Sequence, residues 1–155
     1  MATETLRFYI LGNDERVACF ARLGWCRDCN ELVAIEHFAS LADLEDLLAY
    51  RETNGPDEED QEGAKLCQEN LDVYFRRRNE CLKTLIKWRR QRKSGPRCLK
   101  CASTNVADLV PIPGSGSEEF EHPGCGGVLR FQSGSLFQEE SRQLLTSEGL
   151  PFRNT

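Results

Sequence analysis

Three short motifs constrain what this chain can fold into more than any other feature of its sequence. Each motif places two side chains that commonly bind metal three residues apart. The three pairs are Cys26 and Cys29, Cys98 and Cys101, and His122 and Cys125. A C-x-x-C turn supplies two of the four ligands of a tetrahedral structural zinc site. In a reduced cytosolic chain, such pairs indicate metal ligands first and redox pairs second.

The N-terminal residues bear on whether the eight cysteines form disulfides. The stretch MATETLRFYILGNDERV has acidic residues where a signal peptide has basic ones, and its apolar run is short. No apolar run approaches the length of about 20 residues that spans a bilayer. We therefore expect a cytoplasmic protein with reduced thiols.

The second and third motifs predict one zinc site with the ligands Cys98, Cys101, His122 and Cys125. The 20 residues between the two motifs suffice for a strand, a loop and a return strand. Gly126 and Gly127 suit the left-handed backbone that follows such a turn. Four ligands make a closed site, which indicates a structural metal. The alternatives are incidental reduced cysteines, a redox dithiol or another metal.

The stretches CLKCASTNV and HPGCGGVLRF resemble the zinc-ribbon (zinc β-ribbon) family. The resemblance covers residues 96–134, about a quarter of the chain. It implies two metal-binding turns, each at the tip of a β-hairpin. His122 stands where many ribbons have cysteine, and Ala102 stands where glycine often follows the second cysteine.

The first motif, Cys26 and Cys29, has no obvious complement in the sequence. It predicts a second zinc completed by distant residues, a metal-free turn, a redox pair, or a site completed by a partner chain. One Zn²⁺ is therefore expected and a second is an open alternative. The candidate distant ligands are Cys19, His37, Cys67 and Cys81. We expect the three cysteines among them to be small buried hydrophobic residues.

The hydrophobic pattern predicts an α+β fold, in which a small β-hairpin and zinc-ribbon part carries an inserted long helical hairpin. Strands are expected over 6–12, 16–26 and 30–38, with the first two pairing as a hairpin. Helices are expected over 40–50, with Ser40 as N-cap, and over about 60–93. The predicted segments are 1–39 (β-hairpins), 40–95 (helical hairpin with an acidic linker), 96–134 (zinc ribbon) and 135–155 (C-terminal tail).

Charge is distributed unevenly along the chain, whose formal net charge is −5. Residues 1–73 carry a net charge of −11, residues 74–93 carry +8, and residues 94–155 carry −2. The basic segment predicts either an anion or nucleic-acid contact, or a helix face neutralised by acids of the same chain. The candidate contact residues are Arg76, Arg77, Arg78, Lys83, Lys87, Arg89, Arg90, Arg92 and Lys93.

The sequence contains no phosphate-binding loop, nucleotide fingerprint or nucleophile elbow, so we expect no enzyme and no small-molecule substrate. The leading hypothesis is a zinc-held protein-interaction module with a basic partner, for example an inhibitor or immunity-type protein. The alternative is a nucleic-acid-associated zinc ribbon that uses the basic helix over 74–93. A third hypothesis is a thiol redox or zinc sensor that uses Cys26 and Cys29.

Overall fold

The computed structural model describes residues 6–10, 15–114, 119–130 and 144–150, and it has the predicted α+β fold. The chain forms two compact units, Met1–Phe38 with Lys93–Thr155, and Ala39–Arg92. We call the first the cysteine unit and the second the helical unit. The cysteine unit contains β1 (Leu6–Ile10), β2 (Arg16–Cys26), β3 (Glu31–Glu36), β4 (Val106–Asp108), β5 (Val110–Pro111), β6 (Glu119–Glu121), β7 (Val128–Arg130) and β8 (Leu144–Thr146). The helical unit contains α1 (Leu41–Asn54), α2 (Glu58–Leu66) and α3 (Leu71–Gln91).

The long strand β2 organises the larger sheet of the cysteine unit. Its first half pairs antiparallel with β1, which confirms the predicted hairpin. Its second half pairs antiparallel with β3, and its last three residues also pair with β4. Strand β8 pairs parallel with β1 inside the segment predicted as a tail, whose residues 135–143 and 151–155 lie outside the described part. The end of β2, where Cys26 lies, is therefore held on both edges.

Strands β5, β6 and β7 form a separate three-stranded antiparallel sheet. Phe120 of β6 pairs with Pro111 on one side and with Leu129 on the other. The turn between β6 and β7 carries the third motif, His122 and Cys125. The strands described within 96–134 are thus divided between this sheet and the larger sheet, to which β4 belongs.

Helix α1 begins as the sequence predicts. The Ser40 hydroxyl accepts a hydrogen bond from the Asp43 amide, which satisfies one free N–H of the first turn. The helix ends at Asn54, and the C-cap Gly55 that follows has a left-handed φ of +76°, which suits glycine. No helix in the described part of the chain is long and apolar enough to cross a membrane.

The prediction of one continuous helix over about 60–93 is wrong. Helix α2 ends at Leu66, Gln68 adopts a left-handed φ of +54°, and α3 starts at Leu71. The Asn70 side chain accepts a hydrogen bond from the Asp72 amide, so the sequence has a cap where the heptad-like pattern suggested continuity. The predicted apolar stripe also fails in part, because Cys67 and Cys81 are exposed.

A buried ionic network joins the three helices. The Asp60 carboxylate of α2 is fully buried and accepts hydrogen bonds from Arg51 of α1 at 2.9 Å and Arg78 of α3 at 2.8 Å. Arg51 is also buried, donates to Asn79 at 2.7 Å, and stacks over the Phe75 ring. Because every buried charge here has a partner, the network sets the relative positions of α1, α2 and α3.

Candidate metal centre

Four cysteines from two C-x-x-C motifs form one cluster in the cysteine unit. The sulfur atoms of Cys26, Cys29, Cys98 and Cys101 all lie within 4.8 Å of one another. Cys26 and Cys98 are buried, Cys29 is half-buried and Cys101 is exposed. No other group of three or more metal-binding side chains occurs within the described ranges.

The distances between the sulfur atoms fit a tetrahedral metal site. The Sγ atoms of Cys26 and Cys101 are 3.6 Å apart, and those of Cys29 and Cys98 are 3.9 Å apart. A disulfide requires about 2.05 Å, so neither pair is bonded. Four sulfurs at about 2.3 Å from a central zinc ion lie about 3.8 Å from one another. The cluster therefore has the donor type, the number of ligands and the spacing of a Cys₄ zinc site.

Strand pairing brings the two motifs together across more than 60 residues of sequence. Cys26 is the last residue of β2 and pairs with Val106 of β4, while Ile35 of β3 forms a bridge with Cys98. The Leu99 amide donates to the Ala34 carbonyl at 3.0 Å. Cys26 and Cys98 also belong to the hydrophobic core, so the cluster continues that core.

Backbone amides in both turns donate to sulfur, as they do in metal-binding turns. The Cys29 amide lies 3.4 Å from the Cys26 sulfur, and the amides of Lys100 and Cys101 lie 3.3 and 3.5 Å from the Cys98 sulfur. Such donors stabilise thiolates, which are the form that binds metal. The residue after each motif is left-handed, with φ of +54° at Asn30 and +65° at Ala102.

The thiols of the cluster differ in acidity. Contact with the Cys101 side chain and then burial raise the pKa of Cys29. Burial also raises the pKa of Cys98 above its ordinary value, against the opposing effect of the Cys101 and Lys100 amides. The backbone hydrogen bond at Ser103 is the main cause that lowers the pKa of Cys101. Loading a metal must therefore expel protons from at least two of these thiols.

Polar contacts outside the cluster lock the two turns against each other. The Asp28 carboxylate, between the first two cysteines, accepts hydrogen bonds from Ser103 and from Asn105. These two bonds lower the pKa of Asp28, so the carboxylate remains ionised at neutral pH. Lys100 pairs with Glu31 on the neighbouring hairpin. Each turn thus carries groups that the other turn binds.

The ligand set expected from the sequence differs from the cluster that the structure contains. Cys98 and Cys101 are in the cluster, but their partners are Cys26 and Cys29 rather than His122 and Cys125. His122 packs edge-on against the Trp25 ring, with centroids 4.4 Å apart, and its Nδ1 accepts a hydrogen bond from the Gly124 amide. A neutral imidazole nitrogen has a single lone pair, so Nδ1 must give up this hydrogen bond before it can bind a metal.

The other candidate ligands of the first motif lie outside the cluster. Cys67, Cys81 and His37 are exposed, which corrects the expectation that the first two are buried. The side chain of Cys19 lies outside the described part. The sequence did contain one signal for this ligand set. The first and second motifs are both C-x-x-C, and two identical two-ligand motifs make the simplest four-ligand site.

Most of the candidate basic residues have partners inside the helical unit. Arg77 pairs with Glu69, Arg78 with Asp60, Lys83 with Glu52 and Glu80, and Arg90 with Glu45. Arg89 donates to the Ala39 carbonyl, and Arg92 stacks over the Trp88 ring. Arg76 and Lys87 have no ion pair within the described residues, and Lys93 belongs to the cysteine unit, where its amide donates to Glu148. Acids of this chain therefore pair with four of the nine candidate basic residues, Arg77, Arg78, Lys83 and Arg90.

Comparison with known proteins yields no match: no family model, curated protein or solved structure resembles this chain significantly. The resemblance to zinc ribbons therefore remains a prediction from two short stretches of sequence.

Proposed function

We propose that Cys26, Cys29, Cys98 and Cys101 bind one structural Zn²⁺ and that the chain is a non-enzymatic protein-interaction module held in shape by that ion. The observation that carries the metal assignment is the spacing of the four sulfurs, at 3.6 and 3.9 Å across the cluster. Four thiolates fill the coordination sphere, so no position remains for a substrate or a catalytic water. The role of the ion is to complete a core that the short strands of this unit provide only in part.

The outer face of α1 is the feature that favours protein binding. Asp43, Asp46, Leu47 and Tyr50 follow the i, i+3, i+4, i+7 spacing of one helix face. Leu47 is 47% exposed and Tyr50 is 62% exposed. Neither carboxylate has an ion-pair partner within the described residues. An exposed apolar patch with a polar rim marks an interaction surface.

Charge complementarity indicates a basic partner. Helix α2 and its N-cap also expose four acids, Asp57, Glu58, Glu59 and Glu62, whereas Glu45, Glu52 and Asp60 pair with α3. A partner segment with lysine or arginine near an apolar side chain would match both the acids and the apolar residues of the outer face. An inhibitor of a basic protein is one function of this type.

The internal ion pairs weigh against the nucleic-acid alternative. A phosphate-binding helix needs several free basic residues along one face. Arg77, Arg78 and Arg90 are already paired with carboxylates, and breaking those pairs would offset part of any gain from phosphate. The redox alternative is also weaker, since Cys26 and Cys29 share one cluster with two further cysteines.

Metal analysis of the purified full chain tests the first part of the proposal. We expect about one tightly bound zinc per chain, lost in both Cys26→Ser and Cys98→Ser. Cys67→Ser and Cys81→Ser are matched controls, because both thiols are exposed and lie outside the cluster. Zinc that survives in either cluster variant, or its absence from the wild type, would refute the assignment.

A peptide titration followed by NMR tests the second part. The probe is a synthetic amphipathic helix of lysine and leucine, with a glutamine-for-lysine version as its control. We expect saturable shifts on the outer face of α1, weakened at least tenfold by Leu47→Ala with Tyr50→Ala. The paired control Leu66→Ala with Val73→Ala removes two exposed apolar side chains from α2 and α3. Equal effects of both double variants would reject the outer face as the binding surface.

A further inference from the structure

The turn that holds His122 and Cys125 has the backbone of a metal-binding turn, although it lies outside the four-cysteine cluster. The His122 amide donates to the Gly127 carbonyl at 2.7 Å, and the Gly126 amide donates to the His122 carbonyl at 3.0 Å. The Cys98 turn has the same two bonds: Cys98 to Ser103 and Ala102 to Cys98, each at 2.8 Å. The two turns therefore share one hydrogen-bond pattern, residue for residue.

Two further features extend this match. Gly126 has φ of +70°, and Ala102, at the equivalent place after its motif, has φ of +65°. The Gly124 amide donates to His122 Nδ1 at 3.0 Å, as the Lys100 amide donates to the Cys98 sulfur at 3.3 Å. Nδ1 thus occupies the position that a ligand sulfur holds in the other turn.

The surroundings of the turn leave its cysteine exposed and its histidine half-buried. Cys125 is an exposed free thiol, flanked by exposed Gly124 and Gly126, and His122 is half-buried. Trp25 packs against the imidazole ring and limits its rotation. No third metal-binding side chain within the described ranges joins this pair. The turn therefore presents two potential metal ligands, and the described residues around it supply no others.

We propose that His122 and Cys125 form a second zinc half-site, completed by the same two residues of a second copy of this chain. A two-fold axis through the ion would supply two histidines and two cysteines, which is a standard ligand set for structural zinc. The ion binds Nδ1 of His122 in exchange for the Gly124 hydrogen bond, and Nε2 keeps its proton. The Cys125 thiol loses its proton to solvent on binding.

The experiment combines zinc titration of the full chain with analytical ultracentrifugation in the presence of a non-thiol reductant. We expect about one zinc per chain to bind the monomer of 17.6 kDa first. Further zinc should double the mass, with saturation near one and a half zinc ions per chain and reversal by a chelator. Cobalt added after the first zinc should give the absorption of a tetrahedral site with two thiolates.

Two single variants, His122→Ala and Cys125→Ser, should each abolish the dimer and the extra half equivalent of zinc. Retention of the first zinc shows that these variants are folded. Cys81→Ser changes another exposed thiol, in the helical unit, and should dimerise as the wild type does. A wild type that stays monomeric with excess zinc, a monomer that binds two zinc ions, or a dimer that persists in both variants would each overturn the proposal. If the four-cysteine assignment is wrong, the result would be different: the first zinc itself would be missing from the wild type or lost in His122→Ala and Cys125→Ser.

Discussion

Replacement of Asp60 by asparagine tests whether the buried ionic network sets the arrangement of the helical unit. Asp60 accepts hydrogen bonds from Arg51 and Arg78 and from the Asp57 amide, at 2.9, 2.8 and 3.1 Å. Asparagine keeps the size of the side chain but removes its charge, which leaves the buried Arg51 guanidinium uncompensated. Removing one partner of a buried ion pair costs about 3–5 kcal/mol. We expect the free energy of unfolding of the helical unit to fall by about this amount.

The assay is urea denaturation followed by the fluorescence of Trp88, the buried tryptophan of α3, in a Trp25→Phe background. Asp57→Asn is the control, because asparagine caps a helix as well as aspartate does. Burial raises the pKa of Asp60, but Arg51, the Asp57 amide and Arg78 together lower it below its ordinary value. Its contribution is therefore complete above the unfolded pKa of about 3.9 and is lost as pH falls through the lower folded value. A loss of stability below about 1 kcal/mol at neutral pH would refute this reasoning.

Three further outcomes follow from the cysteine unit and the basic segment. Ala102→Gly should raise the melting temperature slightly, because the left-handed φ costs alanine roughly 1 kcal/mol, whereas Gly126→Ala should lower it; opposite signs would contradict this. Gly24→Ala should destabilise the cysteine unit by about 1–3 kcal/mol, since a Cβ there would lie 2.4 Å from the Ile35 side chain and 3.0 Å from the Ala107 carbonyl. An unchanged denaturation midpoint would show that β3 and β4 shift to make room for the methyl group. Fluorescence anisotropy with nonspecific DNA should show no binding at moderate salt, and steep salt-dependent binding would revive the nucleic-acid alternative.

Local signals in the sequence were sufficient for the early strands and for the start of α1. Strands β1, β2 and β3 lie where short β-branched and aromatic runs predict them, and the Ser40 cap is present. The division between α2 and α3 is also a local signal, which the helical spacing of Cys67, Leu71 and Tyr74 concealed. Asn70 is an efficient N-cap, which favours the start of a new helix after it. The apolar periodicity favours one continuous helix only weakly, because Cys67 has little apolar surface to bury.

The composition of the metal centre depends on pairing between distant segments. Three turns carry ligand-type residues, and a sequence alone leaves their combination open. If the shortest connecting loop is the criterion, the turns at Cys98 and at His122 are predicted to form the site together, because they are closest in sequence. The structure instead pairs β4 with the end of β2, in the register Cys26 opposite Val106, and this contact is nonlocal. Loop-closure entropy grows only logarithmically with length, so a separation of 69 residues between Cys29 and Cys98 costs little more than a short loop.

The same geometry explains why a metal suits this position in the chain. The helical unit, Ala39–Arg92, separates the two segments of the cysteine unit in sequence. Each segment contributes one turn to the cluster, with Cys26 and Cys29 before the insertion and Cys98 and Cys101 after it. A zinc ion would therefore cross-link the chain segments that precede and follow the insertion. The two segments would then be held together without any contribution from the helices of the insertion. Because the ion would bind only the folded arrangement of all four thiolates, its binding free energy would act directly on the pairing of β2 with β4. We infer that the cluster holds this small sheet together although a long helical segment interrupts it in the sequence.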